Sequence, residues 1–252
     1  MLIRCFTSGN LAVRVYSTRQ EMGAAAALLV EEFLAPGTGV IFAAAPSQNE
    51  FLTGLRGSRK IDWPRIAAFH LDEYAGLSAD HPASFRRFLK ERLLDRVPVA
   101  AFHQLHGDAP DLHAECARYA ALLADARPGL AILGIGENGH LAFIDPPVCD
   151  FSDPQDVRVV ELDPVCRMQQ VHDGAFARIE DVPARALSLT IPAIMRTPRL
   201  VVIVPSAAKR RAVEAALEGE IVESCPASIL RRHPNATLFL DQDSYPAPGW
   251  QD

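Results

Sequence analysis

Short apolar runs alternate with longer amphipathic stretches along most of this chain. Continuous apolar runs of this length are typical of strands that are covered on both faces. Their alternation with amphipathic stretches is the pattern of β-α units around a buried sheet. The pattern therefore predicts an α/β fold, with a Rossmann-like, mainly parallel sheet flanked by helices. The predicted strands lie at residues 40–44, 65–71, 130–134, 157–162 and 200–205.

Three of the intervening stretches carry helical signals. Thr18 followed by Glu21 forms a capping box ahead of an apolar stretch, which is a typical helix start. Residues 84–97 and 111–126 also have apolar positions at helical spacing. We expect all three helices to pack against the sheet.

Composition and charge narrow the class of protein. The 252 residues are 49% hydrophobic and 22% charged, with a formal net charge of -6. Such a chain can bury a sizeable core. The acidic balance argues against a general nucleic-acid-binding surface, so an anion site has to be a local pocket. No internal repeat and no linker rich in Pro, Gly or Ser divides the chain, which predicts a single domain over residues 1–252.

The cysteines and the apolar runs indicate a cellular location. Five cysteines are scattered along the chain without a CxxC pair, and an odd number in a chain this long is not a disulfide framework. No apolar run approaches the roughly 20 residues of a membrane-spanning helix, and the N-terminal residues lack the core of a secretory signal. These features predict a cytoplasmic protein without a membrane partner.

A glycine loop follows the predicted strand at residues 130–134. Its sequence, Gly-Ile-Gly-Glu-Asn-Gly, matches the dinucleotide fingerprint GxGxxG. That fingerprint needs a helix whose N-terminus meets a pyrophosphate, and Pro146 and Pro147 leave little room for one. The nucleotide interpretation is therefore disfavoured. Gly136 and Gly139 instead allow the backbone to approach a ligand closely, with N–H groups that can bind ligand oxygens.

His140 lies at the exit of this loop, five residues before Asp145. An imidazole near a carboxylate makes a tunable acid or base, because the carboxylate fixes the tautomer and stabilises the charged form. The alternative is a structural histidine that is satisfied by a neighbouring backbone carbonyl. The residue types alone leave both interpretations open.

Two carboxylates and a phenol follow the apolar residues 66–71, at Asp72, Glu73 and Tyr74. In open α/β sheets, ligands bind at the carboxyl ends of strands. A partly desolvated carboxylate close to a like charge tends toward a raised pKa and can serve as a general base near neutral pH. The alternative is that Asp72 caps the next turn and Glu73 is solvated.

Three cations, Lys209, Arg210 and Arg211, crowd the first turns of a helix that we expect Ser206 to cap. Cations at this end oppose the helix dipole. A bound anion would explain their placement, because free N–H groups and a lysine together make a phosphate cradle. The alternative is a solvated basic turn.

A second loop offers similar donors. Ser47 and Gln48 follow the predicted strand at residues 40–44 and open a predicted helix. We expect this loop and the loop at Lys209 to face one phosphate group.

Two motifs carry a resemblance to a known enzyme family. Residues 70–77 with His81 and Pro82 resemble the LDEYxGL…HP segment of the glucosamine-6-phosphate deaminases, and the glycine loop is similar to their GIGxNGHxxFNEP motif. The resemblance implies an α/β fold of the deaminase, ribose-5-phosphate isomerase and CoA-transferase type. It also implies an aldose–ketose isomerisation of a hexosamine phosphate that releases ammonia without a metal or cofactor.

The resemblance also implies roles for individual residues. Asp72 would be the base that moves a proton between C2 and C1 through an enediol, and His140 would assist opening of the sugar ring. Asp145 would replace the glutamate that partners this histidine in the family, and Asn138 stands where the family has Asp or Asn. The implied phosphate and substrate contacts are Ser47, Gln48, Gly136, Gly139, Lys209 and His172, the last in place of a family arginine.

The chain departs from the family pattern at two places. Ile144-Asp145 replaces the family's Asn-Glu, which shortens the acid by a methylene, and residues 44–48 lack the glycines of the usual phosphate loop. Two alternatives remain beside the deaminase: a 6-phosphogluconolactonase-like hydrolase in which the histidine assists hydrolysis, and a non-catalytic sugar-phosphate-binding regulator. In each case the partner is a small sugar phosphate, and the family likeness is compatible with a homo-oligomer.

Overall fold

The main sheet of the computed structural model contains eight strands. Their spatial order is β1 (Leu2–Ser8), β2 (Leu11–Tyr16), β11 (Ala236–Asp241), β10 (Leu200–Val204), β7 (Leu130–Leu133), β3 (Gly39–Phe42), β4 (Ala67–His70) and β6 (Ala101–Phe102). β1 and β2 form an antiparallel hairpin. In the rest of this spatial order, from β2 through β11 to β6, each strand is parallel to its neighbour. The predicted mainly parallel α/β sheet is confirmed.

The structure describes residues 1–246. The last six positions of the single domain predicted over residues 1–252 lie outside that part of the chain. Within it, no helix is long and apolar enough to cross a bilayer.

A smaller antiparallel sheet is formed by β5 (Asp72–Tyr74), β9 (Arg185–Leu189) and β8 (Val157–Glu161). β8 matches the strand predicted at residues 157–162, but its expected place in the parallel sheet was wrong. Val157 and Val160 are buried whereas Glu161 is exposed, so β8 is not covered on both faces as the central strands are. Leu71 connects the two sheets, because its N–H donates to Phe42 and its carbonyl accepts from Leu189.

Seven α-helices complete the described fold. Thr18 Oγ1 accepts a hydrogen bond from the Glu21 N–H, as the capping box predicted. Asp111 Oδ1 caps α4 in the same way. The helix predicted at residues 84–97 is α3, which continues into a π-helical turn at Lys90–Leu94. The helices are α1 (Arg19–Phe33), α2 (Asn49–Arg56), α3 (Phe85–Leu89), α4 (Leu112–Ala126), α5 (Pro164–His172), α6 (Ile191–Met195) and α7 (Arg210–Glu218).

Both faces of the main sheet are buried in hydrophobic clusters. Successive side chains of a strand point to opposite faces. In β10, Val201 and Ile203 belong to the cluster that contains α1 and α2 residues, whereas Leu200, Val202 and Val204 belong to the other. All five residues of β10 are buried. This two-sided burial explains why the central strands are continuously apolar in the sequence.

Helices α1 and α2 approach each other closely at Gly23. A Cβ atom at this position would lie 2.6 Å from the Cβ of Glu50 and 2.8 Å from the backbone nitrogen of Phe51. Only a residue without a side chain fits there. The contact matters for the site, because it places Arg19, the first residue of α1, beside Glu50 near the start of α2, with 2.7 Å between Nε and Oε2.

Gly23→Ala should therefore destabilise the protein by about 1–3 kcal/mol, since the added methyl group has to push α2 away. In an unhindered helix the same change would stabilise by up to about 1 kcal/mol, so the sign of the effect tests the contact. Urea unfolding measures it. Leu28→Ala, at a largely exposed position of the same helix, is the control and should change stability by less than about 0.5 kcal/mol. A stabilised Gly23→Ala variant would contradict this packing.

Candidate active site

A pocket lies at the carboxyl ends of four adjacent parallel strands, β10, β7, β3 and β4. It is lined by the segments that directly follow these strands, together with parts of α1 and α5. This is the edge at which open α/β sheets bind ligands. The polar residues that line it are Arg19, Ser47, Gln48, Asp72, Glu137, His140, Gln169, Gln170, Asp173, Ser206 and Lys209.

Asp72 lies where the chain passes from β4 into β5, and only 6% of its surface is exposed. Burial raises the pKa of Asp72 well above its ordinary value, and the charge of Glu73 raises it further. Within residues 1–246 no donor caps its side chain, so the alternative of a turn cap does not hold. A carboxylate with a raised pKa is a stronger base than an exposed one.

Glu73 is fully buried rather than solvated, and its role is structural. Its carboxylate accepts hydrogen bonds from Ser84 Oγ at 2.8 Å, from the Phe85 and Arg86 N–H groups, and from Arg86 Nε at 3.2 Å. These donors include the first N–H groups of α3, where a negative charge is favourable. Glu73 therefore anchors α3, and the neighbouring Asp72 is left to face the pocket.

His70 fixes the backbone at Asp72. Its Nε2 accepts a hydrogen bond from the Leu105 N–H at 2.8 Å, so Nδ1 carries the proton and donates to the Asp72 carbonyl, also at 2.8 Å. Burial lowers the pKa of His70 to about 3, which keeps the ring neutral. Sequence reasoning assigned no role to this residue, because a histidine inside an apolar strand gives no separate signal.

His140 is oriented by two acceptors on the same ring nitrogen. Nδ1 lies 2.8 Å from Asn138 Oδ1 and 2.9 Å from Asp145 Oδ1. Both partners accept, so Nδ1 carries the proton and Nε2 is the nitrogen available to a ligand. The structure therefore pairs His140 with a carboxylate, as the sequence suggested, and not with a backbone carbonyl.

Asp145 lies behind His140 and does not line the pocket. Asp145 is fully buried, and its carboxylate accepts hydrogen bonds from Asn138 Nδ2 and from the Asp163 N–H, each at 3.0 Å. Burial alone would raise the pKa of Asp145, but hydrogen bonds from His140, Asn138 and Asp163, with the charge of His140, lower it below its ordinary value. Asp145 and Asn138 thus hold His140 in place and do not themselves face the pocket.

The glycine loop also leaves space for the His140 ring. A Cβ atom on Gly136 would lie 2.2 to 2.3 Å from atoms of the His140 ring, so only glycine leaves space for the imidazole. Gly139 adopts a positive φ of 86° and closes the turn with a hydrogen bond from its N–H to the Gly136 carbonyl. Gly136 lines the pocket, whereas Gly139, expected as a substrate contact, does not.

A buried cysteine completes a potential metal-ligating group. His140, Asp145 and Cys166 place their ligand atoms within 4.8 Å of one another. Metal binding would require a thiolate, but burial and the nearby Asp145 raise the pKa of the Cys166 thiol. His140 Nδ1 is also engaged already by its acceptors. The donor set fits a hydrogen-bonded network better than a metal centre.

The two loops that were expected to face a phosphate both line the pocket. Ser47 and Gln48 follow β3, and Lys209 follows β10. Gln48 is fully buried and donates through Nε2 to Ser47 Oγ at 3.0 Å, whereas its Oε1 has no protein partner within the described residues. The structure therefore places the expected residues in the lining of one pocket.

Lys209 is nearly buried, with 10% of its side chain exposed. Its Nζ forms no hydrogen bond to residues 1–246 and lies 3.9 Å from Glu137 Oε1. Burial lowers the pKa of Lys209, and the charges of Asp173 and Glu137 oppose that shift. A buried ammonium group without hydrogen bonds is costly, and an anionic ligand would satisfy it. Lys209 is thus not part of a solvated basic turn.

The expected helix cap at Ser206 was wrong. Ser206 has a φ of 87° and its side chain caps nothing; its N–H donates to both carboxylate oxygens of Asp241 at 3.1 Å. A short 3-10 turn, Ala207–Lys209, then leads into α7. Asp241, at the end of β11, holds Ser206 in this conformation, and the sequence around Ser206 does not reveal so distant a partner.

The expected substrate contact at His172 is a second correction. Its side chain is 57% exposed, does not line the pocket, and places Nδ1 3.5 Å from Glu137 Oε2. Gln169 and Gln170 of the same helix line the pocket instead. Successive helical residues are rotated by about 100°, so residues 170 and 172 point in different directions. Sequence reasoning missed both glutamines, because amide side chains on an amphipathic helix form no motif.

A known protein family matches most of this chain. A family model described as glucosamine-6-phosphate isomerases/6-phosphogluconolactonase matches residues 46–239. A glucosamine-6-phosphate deaminase of Bacillus cereus (strain B4264) is 34% identical over 236 residues, which cover 92% of this chain and 87% of that protein. A second, from Bacillus cereus (strain G9842), is 38% identical over 185 residues, 73% of this chain and 69% of that protein.

Solved structures of known proteins share the fold of this chain. A monomeric glucosamine-6-phosphate deaminase is 29% identical, with a TM-score of 0.86 over 92% of this chain and 98% of that one. A 6-phosphogluconolactonase from Trypanosoma brucei is 18% identical, with a TM-score of 0.74 over 96% and 98%, and shares the fold alone. The chain therefore belongs to the enzyme family of glucosamine-6-phosphate isomerases and 6-phosphogluconolactonases, as its two motifs predicted.

Proposed function

We propose that this protein is a glucosamine-6-phosphate deaminase, which converts the amino-sugar phosphate and water into fructose 6-phosphate and ammonia. One observation carries the proposal: Asp72, buried and with a raised pKa, faces the same pocket as His140 and Lys209. These groups would act as base, ring-opening group and anion site. The deaminase names of relatives at 34% and 38% identity support the choice of substrate.

The first proposed step opens the sugar ring at His140. Nε2 accepts the proton of the hydroxyl group on C1 and returns it to the ring oxygen, which breaks the bond between C1 and that oxygen. Nδ1 keeps its own proton throughout, because Asn138 and Asp145 both accept it. Asp145 also stabilises the imidazolium that forms while Nε2 holds the second proton.

The second proposed step moves a proton from C2 to C1 at Asp72. The carboxylate removes the C2 proton, the ammonium group of the substrate gives up a proton to the C1 oxygen, and an enediol-type intermediate, here an enolamine, forms. Return of the proton to C1 gives an imine at C2, which water hydrolyses to the ketone with loss of ammonia. Asp72 is a stronger base at this buried strand end, because desolvation disfavours its charged form.

The two alternatives explain fewer of the site's features. Hydrolysis of a lactone would use His140 but would leave Asp72 without a proton to move. A sugar-phosphate-binding regulator would need neither the burial of Asp72 nor the orientation of His140 by Asp145 and Asn138. The proposed deaminase reaction uses each of these groups.

A cytoplasmic location is also part of the proposal. All five cysteines are free, which suits a reducing compartment. The homo-oligomer that the family likeness allows stays a prediction, and the related solved deaminase is described as monomeric.

Turnover is the direct test of the proposed reaction. The purified protein should release ammonia from glucosamine 6-phosphate and form fructose 6-phosphate in equal amounts, measured by two coupled assays. A parallel assay should find no hydrolysis of 6-phosphogluconolactone above the spontaneous rate. Lactone hydrolysis would favour the lactonase alternative, and no turnover across a panel of hexosamine phosphates would refute the proposal.

Asp72→Asn should lower kcat by roughly 10³-fold, because the amide keeps the size of the side chain but cannot accept the C2 proton. Its unfolding temperature should not fall, since the fold disfavours the charged form of Asp72. Asp80→Asn, the same change at an exposed position, is the control and should keep the wild-type rate. A wild-type rate in Asp72→Asn would remove Asp72 from the mechanism.

A further inference from the structure

The segments that were expected to bind phosphate lack two features that the family resemblance implied. Residues 44–48 contain no glycine, and residue 172 is an exposed histidine. The ionisable side chains that line the pocket, besides His140, are the carboxylates of Asp72, Glu137 and Asp173 and the cations of Lys209 and Arg19. A phosphate monoester brings a charge of about -1.5 to -2 at neutral pH. Among these side chains, only Lys209 and Arg19 can supply positive charge to it.

We propose that Arg19 is a phosphate-binding residue, which holds the phosphate of the substrate together with Lys209. This inference rests on the proposed function in its choice of ligand. It assigns a role to a residue of α1, an element that neither sequence motif touches.

Arg19 is fixed at the rim of the pocket by two contacts. Nε lies 2.7 Å from Glu50 Oε2, and Nη2 donates to the Pro46 carbonyl. No hydrogen bond from Nη1 reaches another residue in the described part of the chain. The side chain is 32% exposed and lines the pocket beside Pro46 and Ser47. A guanidinium group held in this way presents its remaining N–H donors without further loss of side-chain entropy.

Lys209 alone is a weak anion site. Its ammonium group lies 3.9 Å from Glu137 Oε1, and Asp173 also lines the pocket, so neighbouring carboxylates offset much of its charge. Yet its nearly buried Nζ has no hydrogen-bond partner within residues 1–246, which indicates a ligand at this point. Arg19, a second cation that lines the same pocket, adds N–H donors and part of the charge that a dianion needs, since Glu50 offsets some of its own charge.

Arg19 also accounts for the loop that lacks glycines. Glycine-rich phosphate loops present several backbone N–H groups to a ligand, but Pro46 has no N–H at all. The guanidinium group replaces some of these missing donors and holds the Pro46 carbonyl at the same time. The arginine that the resemblance placed at residue 172 of α5 thus has its functional counterpart on α1.

Inorganic phosphate is the probe for this assignment, because its binding does not depend on turnover. Isothermal titration should give a Kd for phosphate that is about tenfold or more higher in Arg19→Gln than in the wild type. Arg19→Lys should recover part of the affinity, since it restores the charge but not the fork of donors. Arg56→Gln removes an arginine of α2 that donates to the Arg92 carbonyl outside the pocket, and should bind as the wild type does.

Equal phosphate affinity in Arg19→Gln and the wild type would overturn the assignment, and so would a wild type that does not bind phosphate. Circular dichroism establishes that each variant is folded. If the wild type turns over glucosamine 6-phosphate, Arg19→Gln should raise KM about tenfold or more with kcat within a few-fold, and should narrow the preference for glucosamine 6-phosphate over glucosamine. If it turns over nothing, the proposed function fails while the phosphate titration still decides the role of Arg19.

Discussion

The carboxyl ends of β10, β7, β3 and β4 meet at one edge of the main sheet, and the pocket depends on this alignment. Parallel strands in fixed register bring together loops that are far apart in the sequence. Both faces of the sheet are covered by hydrophobic clusters, which holds the strand ends in place. The loops can therefore carry unusual backbone conformations and buried charges, because a rigid scaffold supports them.

The fold gives three buried carboxylates three different environments. Glu73 accepts hydrogen bonds from Arg86 and from the N–H groups that begin α3, although burial still raises its pKa. Asp145 accepts hydrogen bonds from His140 and its neighbours, which lowers its pKa. Asp72 receives no such donors within the described residues, and burial raises its pKa. Hydrogen bonds therefore tie Glu73 and Asp145 into the structure and leave Asp72 as the base among the three, and such contrasting environments are found at acid–base active sites.

The sequence predicted the central part of the fold well and its edges poorly. The fully buried strands, such as β10, are continuous apolar runs, so they could be recognised without a structure. The β1–β2 hairpin was missed, because its outer strand mixes exposed apolar and polar residues. β8 was found as a strand but placed in the wrong sheet, since an apolar run does not say which partner it will pair with.

In the candidate site, too, the sequence predicted some features and missed others. Asp72 and His140 were found because each lies beside a motif at a strand end. The position of Ser206 depends on Asp241, which is 35 residues away, and the lining position of Arg19 depends on how α1 packs against α2. Such long-range contacts leave no local signature in the sequence.

A crystal structure of Asp72→Asn with glucosamine 6-phosphate bound would test the central claim, that one pocket holds the base, the ring-opening group and the anion site in working order. The account predicts the phosphate between Lys209 and Arg19. It also predicts C2 next to the side chain at position 72, and the C1 hydroxyl within hydrogen-bond reach of His140 Nε2. A sugar phosphate bound outside this pocket, or one with its phosphate at position 72, would contradict it.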